Sequence, residues 1–532
     1  MSFCRCLALI LTALVLAGCA KGAPEEKARA QGGIYGADTL VTGSIGEPSN
    51  LIPILSADSA SSDVAGLVYN GLVRYDKDLK LEGDLARSWE VSPDGLGITF
   101  HLRRGVKWHD GHDFTSRDVL YTYRVTIDPK TPTAYAEDFK QVQSAQAVDD
   151  YTFRVRYAKP FAPALASWGM PILPAHLLEG KEITKSPLSR SPVGTGPFVF
   201  KEWIPGQRVM LERNPEYYEG APRLSRYVYR IIPDSSTMYM ELKAGGIDMM
   251  GLSPVQYQRQ TNTREFLARF NKYRYPASAY TYLGYNLRLP VFQDRRVRQA
   301  ITCAINKEEI VAGVLLGMGQ LAHGPYKPGT WAYKPKVAAD PAYDPARSAL
   351  LLREAGYVMG QDGILVKDGK PLSFTIMTNQ GNDQRLKAAQ IIQRRLKKVG
   401  IDVKIRVMEW ASFLTNFIDK GRFEAVLLGW TIGQDPDLYD VWHSSKTGPK
   451  ELNFVGYKNP ELDRLIVEGR GTFDTEKRRA CYYQIQEILA QDQPYTFLYV
   501  PDALPVVTSR VKGIEPAPAG IMHNLIRWYV NQ

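Results

Sequence analysis

Cysteine and histidine are scarce in this sequence, which has 5 cysteines and 7 histidines among 532 residues. Beyond residue 19 the only cysteines are Cys303 and Cys481, and their wide spacing excludes a fold that depends on disulfides. No cysteine or histidine cluster has the spacing of a zinc site. His109 and His112 flank Asp110-Gly111, which fits half of a metal site or, better, a simple Asp-Gly turn. We therefore predict no metal and no cofactor.

Long apolar runs are also missing, because no segment approaches the ~18 apolar residues of a membrane-spanning helix. The run from Leu7 to Leu16 has the length of a signal-peptide core and ends in Leu16-Ala17-Gly18-Cys19. Small residues followed by a cysteine resemble the lipobox of bacterial lipoproteins, in which that thiol is acylated. We predict a signal peptide over residues 1–18, lipidation of Cys19 and a flexible tether over 19–32. The alternative is an ordinary secretory signal with an incidental cysteine.

A concentrated basic stripe is absent as well. The net charge of +10 is spread along the chain among 56 acidic residues, so we predict no binding of nucleic acid. Aromatic and basic residues do interleave over residues 272–285, but their spacing of two is typical of two strands rather than of a base-stacking surface. The motifs of serine hydrolases, zinc proteases, P-loop enzymes and dinucleotide-binding enzymes are also absent. We therefore predict that the protein is not an enzyme.

The remaining chain has the composition of a packed globular protein, with 44% apolar and 23% charged residues. Between residues 290 and 490, helix and strand patterns alternate with short glycine-containing links, which is typical of an α/β fold. Residues with capping chemistry begin the predicted helices, and these residues are Thr115, Asp294, Asn306, Asp344, Asn382 or Asp383, and Asp474. Cys481 shares a helix face with Ile485 and Leu489, which predicts that it is buried.

Five segments resemble the family 5 extracellular solute-binding proteins, which serve ABC importers of peptides and nickel. The most specific is LARSWEVSPDGLGITFHLRRGVKWHDGHDFTSRDVLYTY, residues 85–123. The others follow in family order: VGTGPFVFKEW (193–203), YNLRLPVFQDRRVRQAITCAIN (285–306), YDPARSALLLREAGY (343–357) and LGWTIGQDPDLY (428–439). Together they extend over most of the mature chain.

The resemblance implies an α/β fold of the two-lobed periplasmic-binding-protein type (type II, cluster C-like), with an extra domain inserted in the first lobe. Mapped onto this chain, lobe I takes residues 33–60, 190–288 and 490–532, the extra domain takes 61–189, and lobe II takes 289–489. Hinge crossings would then lie near Gly194–Pro197 and Gln493-Pro494. The resemblance further implies a monomer, anchored to the membrane outside the cytoplasm, that delivers its solute to an ABC permease in the inner membrane.

For the ligand, the resemblance implies an extended peptide held by backbone hydrogen bonds in a cleft that closes over it. The residues aligned with ligand contacts are Ala57, Asp58, Ser59, Tyr135, Gly429, Trp430 and Thr431. Two of these have structural alternatives, because Asp58 could cap the next helix and Trp430 could be a packing residue. Other solutes, such as a nickel complex or an oligosaccharide, and more remotely a secreted hydrolase, remain alternatives.

One position departs from the family pattern. Peptide-binding relatives often carry an aspartate three residues after the tryptophan, where it pairs with the ligand's ammonium group, but this chain has Gly433. Asp435 and Asp437 follow, and a one-residue gap would bring Asp435 nearer to that place. Because a buried ammonium needs a carboxylate, either Asp435 takes the role or the ligand lacks a free amino terminus.

Overall fold

The computed structural model describes residues 35–531. The predicted signal peptide, Cys19 and the tether through residue 32 lie outside the described residues. Between residues 35 and 531, no helix has the length and apolar character needed to cross a membrane.

A seven-stranded sheet forms the centre of the first lobe. Its strands, in spatial order, are Phe270–Lys272, Pro505–Thr508, Met249–Gly251, Thr39–Ser44, Arg226–Ile231, Arg208–Arg213 and Phe198–Ile204. The central pair, Thr39–Ser44 and Arg226–Ile231, is parallel and contributes Leu40 and Tyr227 to the core. Because the chain returns to this sheet from four distant segments, the lobe is assembled from sequence-remote pieces.

A second seven-stranded sheet forms the other lobe. Its main path runs through Tyr275–Pro276, Tyr495–Ala503, Ala279–Tyr285, Ala425–Thr431, Ser373–Asn379 and Asp402–Met408, and Gly319–Leu321 pairs with Tyr495–Ala503. Its longer helices are Arg295–Ala304, Lys307–Gly313, Pro345–Glu354, Asp383–Lys397, Pro460–Arg470 and Thr475–Asp492. Large buried clusters contact the strands on both faces, which explains the long apolar strand patterns.

Local predictions for this lobe are confirmed. The side chains of the predicted caps accept backbone hydrogen bonds at the helix starts, and these caps are Asp294, Asn306, Asp344, Asn382 and Asp474. Cys481 is 4% exposed and packs in the core, as its helical spacing predicted.

A third unit contains a four-stranded antiparallel sheet, in the order Ala86–Val91, Gly97–Leu102, Thr152–Tyr157 and Val142–Asp149. The helix Ser116–Ile127 begins at the predicted capping box, in which the Thr115 amide donates to the Asp118 carboxylate at 2.9 Å. Trp168 is 1% exposed and packs against Phe100, Phe139 and Phe153 in the core of this unit.

The shorter elements complete the fold. The remaining α-helices are Ser59–Val68, Ala136–Lys140, Ala175–Leu178, Ser235–Ala244, Arg264–Arg269, Pro290–Gln293, Trp410–Phe413 and Tyr439–Trp442. The small sheets pair Val73–Tyr75 with Leu81–Gly83, Val511–Lys512 with Tyr529–Val530, and Leu365–Lys367 with both Val358–Met359 and Lys370–Pro371. Two α/β lobes with an additional antiparallel unit are the architecture that the resemblance implied.

The chain passes between the two large sheets at places other than the predicted hinge. Strands Ala279–Tyr285 and Tyr495–Ala503 belong to the second sheet, whereas the predicted ranges 190–288 and 490–532 assign them to lobe I. The crossings therefore lie at residues 273–274 and at residue 504, between strands of different sheets. The two crossings are adjacent, because the Tyr273 amide donates to the carbonyl of Pro505 at 2.9 Å.

The glycines at 194 and 196, which were predicted to serve a hinge, have a packing role. A side chain at Gly194 would place its Cβ 1.8 Å from the carbonyl oxygen of Val68, and the Gly196 amide donates to that same oxygen at 2.8 Å. Only glycine fits such a close approach between two backbones. Near the other predicted crossing, Gln493 ends the helix Thr475–Asp492 in a left-handed conformation and leads directly into a strand of the second sheet.

Candidate binding site

The predicted first-lobe contact loop lies at the start of helix Ser59–Val68. Asp58 is that helix's cap, because its carboxylate accepts hydrogen bonds from the Ser61 amide at 2.9 Å and the Ser61 hydroxyl at 2.7 Å. Asp58 is therefore a helix cap, which is the structural alternative stated for it from the sequence. The side chains of its neighbours Ala57 and Ser59 are exposed.

All three units meet at this loop. The Tyr135 hydroxyl, from the third unit, donates to the carbonyl of Ser56 at 3.2 Å. The indole N–H of Trp410, from the second lobe, lies 3.4 Å from the Asp58 carboxylate. Burial raises the pKa of Tyr135, and the charges of Asp440 and Asp58 raise it further. The structure thus places the Tyr135 hydroxyl at the loop that carries Asp58.

The predicted second-lobe contact is the end of a strand with an unpaired edge. On one side, Ala425–Thr431 pairs along its whole length with Ala279–Tyr285. On the other side, Ser373–Asn379 pairs with it only at Ala425 and Val426. Among residues 35–531, no strand pairs with the edge beyond Val426 on that side. Backbone groups of an extended ligand could therefore add to this edge.

Trp430 combines packing with partial exposure. Its indole N–H lies 3.3 Å from the Tyr495 hydroxyl, and its ring centroid lies 5.9 Å from that of Phe454. The side chain is half-buried and Thr431 is exposed. The packing alternative for Trp430 is present in the structure, and its exposed part remains able to contact a ligand.

Arg385 lies beside the open edge of strand Ala425–Thr431, and it was not among the residues predicted from the sequence. One guanidinium nitrogen donates to the Asn379 side chain at 2.8 Å, and a Cβ at Gly429 would lie 2.9 Å from another. Burial lowers the pKa of Arg385, yet no carboxylate within residues 35–531 pairs with it. Arg385 is half-buried, and removing a cation from water without a counter-ion is costly, so an anionic group on a ligand would stabilise this position.

A signal for Arg385 was present in the sequence. It lies three residues after the cap Asn382, at the junction where a buried strand leads into a helix. Ligands of open α/β sheets commonly bind at such strand ends. Nothing local, however, distinguishes Arg385 from the exposed Arg394 later in the same helix, because the difference arises from the position of Arg385 beside Gly429.

The Asp435 carboxylate already forms an ion pair with an arginine. Both of its carboxylate oxygens accept hydrogen bonds from the Arg478 guanidinium, at 2.8 and 3.0 Å. It also accepts the backbone amide of Asp437 at 3.0 Å. An ammonium group at Asp435 would therefore share this carboxylate with Arg478.

Asp437 belongs to a buried charge cluster between the second lobe and the third unit. Arg470 lies 2.7 Å from the Asp437 carboxylate and also pairs with Asp138 of the third unit. Lys446, at 2% side-chain exposure, lies 2.9 Å from Glu451 and 3.6 Å from Asp440. These two cations hold acidic side chains of two different units together.

Acidic groups are in excess in this cluster. The carboxylates are Glu137, Asp138, Asp435, Asp437, Asp440 and Glu451, and the paired cations are Lys140, Lys446, Arg470 and Arg478. One buried oxygen of Asp440 accepts no hydrogen bond from any described residue. Burial raises the pKa of Asp440 well above its ordinary value, and the charge of Asp138 raises it further. Six acidic side chains therefore face four cations in this cluster, and a cationic ligand group would favour the ionised form of Asp440 against this shift of its pKa.

The raised pKa of Asp437 makes the free energy of unfolding of the protein depend on pH. Burial raises its pKa from 3.8 to about 7; the Arg470 guanidinium opposes this shift, and the charges of Asp138 and Asp435 reinforce it. Between pH 4 and 7 the folded protein keeps a proton that the unfolded chain releases, so the free energy of unfolding falls as the pH rises through this window.

Replacing Asp437 with asparagine should flatten this dependence, because asparagine resembles the protonated acid. The contribution is about 1.4 kcal/mol per unit of pKa shift, so a change on the order of 1–3 kcal/mol across the window is expected. Urea unfolding at several pH values between 4.5 and 7.5 measures it. If the free energy of unfolding changes equally with pH in the two proteins, Asp437 does not titrate in this range.

Two surface cavities, of about 260 and 510 Å³, are lined by other residues, around Cys303 and around Glu212 respectively.

Comparison with known proteins agrees with this geometry. Residues 80–451 match the family described as bacterial extracellular solute-binding proteins, family 5 Middle. The oligopeptide-binding protein AppA of Bacillus subtilis is 34% identical over 98% of this chain and 97% of its own length. The structure of AppA in complex with a nonapeptide covers 93% of this chain and 99% of that chain, with a TM-score of 0.88.

Two further relatives have other printed ligands. The structure of NikZ from Campylobacter jejuni in complex with Ni(L-His) is 28% identical, covers 93% of this chain and 99% of that chain, and has a TM-score of 0.84. Heme-binding protein A of Haemophilus influenzae is 30% identical over 97% of both chains.

The family match extends over most of the chain, and the AppA match extends over nearly all of it. The protein is thus a binding protein and not an enzyme, as the absence of catalytic motifs predicted. This chain belongs to the bacterial extracellular solute-binding proteins of family 5.

Proposed function

We propose that this protein captures peptides outside the cytoplasm and delivers them to an ABC permease. The observation that carries the proposal is the unpaired edge of strand Ala425–Thr431 beyond Val426. A peptide that adds to this edge is held through its backbone, so its side chains matter less. The nonapeptide in the AppA structure supports the same ligand class.

The carboxyl end of the peptide binds Arg385 in this proposal. Arg385 lies beside Gly429, at the open edge, and its guanidinium group donates a hydrogen bond to Asn379 and to no other described residue. A guanidinium can hold a carboxylate through two parallel hydrogen bonds. The position of Arg385 therefore limits how far the peptide extends along the strand.

The amino end of the peptide binds, in this proposal, the acidic side chains that follow Trp430. Asp435 was predicted for this role from the sequence, with Asp437 close by. Both carboxylates are already engaged in ion pairs, Asp435 with Arg478 and Asp437 with Arg470. Asp440 is less tightly engaged, because its Oδ1 accepts no hydrogen bond among the described residues and lies 3.6 Å from the Lys446 ammonium group. We propose Asp440 as the primary partner and Asp435 and Asp437 as its electrostatic support.

The other predicted contacts form the wall opposite the strand. Ala57 and Ser59 expose their side chains, and Tyr135 joins the third unit to their loop through its hydroxyl group. Because this wall and the strand edge belong to different units, the lobes must separate to load a ligand. We propose that they rotate about the adjacent crossings at residues 273–274 and 504, where the two chain segments hydrogen-bond each other.

Calorimetry with peptides of one length tests the proposal. Peptides that differ in side chains should bind within about tenfold of each other, whereas methylation of alternate backbone nitrogens should weaken binding strongly, because it removes donors to the edge. A nickel–histidine complex serves as the alternative ligand. Tight binding of that complex, with no binding of any peptide, would assign the protein to a non-peptide solute.

We further propose that Cys19 is the lipid anchor and that residues 1–18 are removed. The support is the LAGC sequence after a ten-residue apolar run. Cys19→Ser should abolish palmitate incorporation and release the protein from membranes, while peptide affinity stays unchanged. Continued acylation of the variant would contradict this assignment.

A further inference from the structure

Two histidines and an aspartate converge on the surface of the third unit. Asp110, His112 and His176 each place one potential ligand atom within 4.8 Å of the others. The His112 Nδ1 lies 3.2 Å from one carboxylate oxygen of Asp110, and the His176 Nε2 lies 2.7 Å from the other. The two imidazole rings stack with their centroids 4.1 Å apart. No other group of three such residues occurs between residues 35 and 531.

Rigid local structure holds the first two side chains in place. The Trp108 amide donates to the His112 carbonyl at 2.8 Å, and the Gly111 amide donates to the Trp108 carbonyl at 2.8 Å, which forms a tight turn. Gly111 has a φ of +90°, a conformation that favours glycine. Asp110 and His112 therefore project from a turn that cannot easily rearrange.

The third side chain comes from the short helix Ala175–Leu178. The Ala175 amide donates to the buried Asp118 carboxylate at 3.0 Å, which fixes the start of this helix against Ser116–Ile127. Trp108 is 2% exposed, and its ring lies 6.0 Å from that of His176. Asp110 and His176 are thus supported before any ion binds, whereas the exposed His112 ring, stacked on that of His176, must turn for both imidazoles to face one ion.

The structure also changes the interpretation of His109. Its ring accepts the Gly194 amide at 3.3 Å and contacts the Gly196 carbonyl at 2.9 Å, so it is a structural residue. The Asp-Gly turn predicted from the sequence is present. The partner of His112 is not the neighbouring His109 but His176, which no spacing rule connects to the turn.

We propose that Asp110, His112 and His176 form a binding site for a divalent transition metal, with Zn²⁺ as the best match. Two imidazoles and one carboxylate are the donors that Zn²⁺ accepts at three protein ligands, with water in the open position. The His112 side chain is 62% exposed, so water can reach the ion. The site differs from the peptide site, since none of its residues contributes to the open strand edge or to the acidic cluster.

Titration of untagged, chelator-treated protein with Zn²⁺ tests the proposal. Calorimetry should show one site per chain, and His112→Ala should weaken it by at least about tenfold, because a three-ligand site loses one donor. His101→Ala is the matched control, since His101 pairs with Glu90 on the same unit without a third donor. Its affinity for Zn²⁺ should equal that of the unmodified protein.

Binding of Co²⁺ provides a second measurement, because its visible absorption reports the ligand geometry. If the unmodified protein gives the visible absorption of low-coordinate Co²⁺ and His112→Ala does not, the assignment is supported. Equal Zn²⁺ affinity in His112→Ala, or no binding below millimolar Zn²⁺, would show that the three residues form only a hydrogen-bonded group. Peptide affinity should be the same with and without Zn²⁺, so failure of this site leaves the peptide proposal intact.

Discussion

Arg385→Gln should weaken binding of a peptide with a free carboxyl terminus by on the order of 100-fold. Arg385 is a half-buried cation whose side-chain hydrogen bond within the described residues goes to the neutral side chain of Asn379. Removing one member of a buried charge pair costs about 2–5 kcal/mol in binding, and each 1.4 kcal/mol is a factor of ten. The loss should fall mainly on the dissociation rate.

The same peptide with a carboxyl-terminal amide separates a direct contact from a general loss of structure. The amide should bind the unmodified protein more weakly and should lose little further affinity in Arg385→Gln. Arg394→Gln is the matched control, since Arg394 lies on the same helix but is exposed and pairs with Glu309. Equal losses for acid and amide peptides in Arg385→Gln would mean that Arg385 supports the strand edge without touching the carboxylate.

Asp440→Asn should weaken a peptide with a free amino terminus by about 30-fold or more, on the scale of a lost buried charge pair. Asparagine keeps the shape but removes the charge that an ammonium group would need. The N-acetylated form of the same peptide should bind both proteins with similar affinity. Calorimetry with the two peptides therefore measures the contribution of the ammonium contact.

Asp435→Asn should behave differently. This substitution leaves the Arg478 guanidinium, at 10% side-chain exposure, without its carboxylate. A buried pair that loses one partner destabilises the fold by about 3–5 kcal/mol when fully buried, and by less at this partial exposure. The melting temperature should fall, and both peptides should be affected alike. A loss confined to the free-amine peptide in Asp435→Asn would instead return the ammonium contact to Asp435.

Prediction from the sequence was most successful where the signal was local. The caps Asp294 and Asp344 and the burial of Cys481 depend on residues a few positions apart, and the structure contains all of them. The chain passes between the sheets at residues 273–274 and 504 rather than near Gly194, because glycine is used in close backbone packing, here against Val68, as well as in flexible links.

The candidate site was less predictable, because its chemistry depends on long-range contacts. The pairs Asp435–Arg478 and Asp138–Arg470 join residues 43 and 332 positions apart in the sequence. Likewise, His176 approaches Asp110 over a separation of 66 residues. Spacing rules cannot reveal such partners, whereas the caps of the helices were predictable from neighbouring residues.

Mass spectrometry of the ligand released from denatured protein tests the central claim most directly. The protein would be purified from its native host without refolding, so that bound solute is retained. The account predicts a mixture of peptides of similar length and varied sequence, because the strand edge holds the backbone and the two ends are fixed by charge. Release of a single non-peptide solute, such as a metal complex or a sugar, would contradict it.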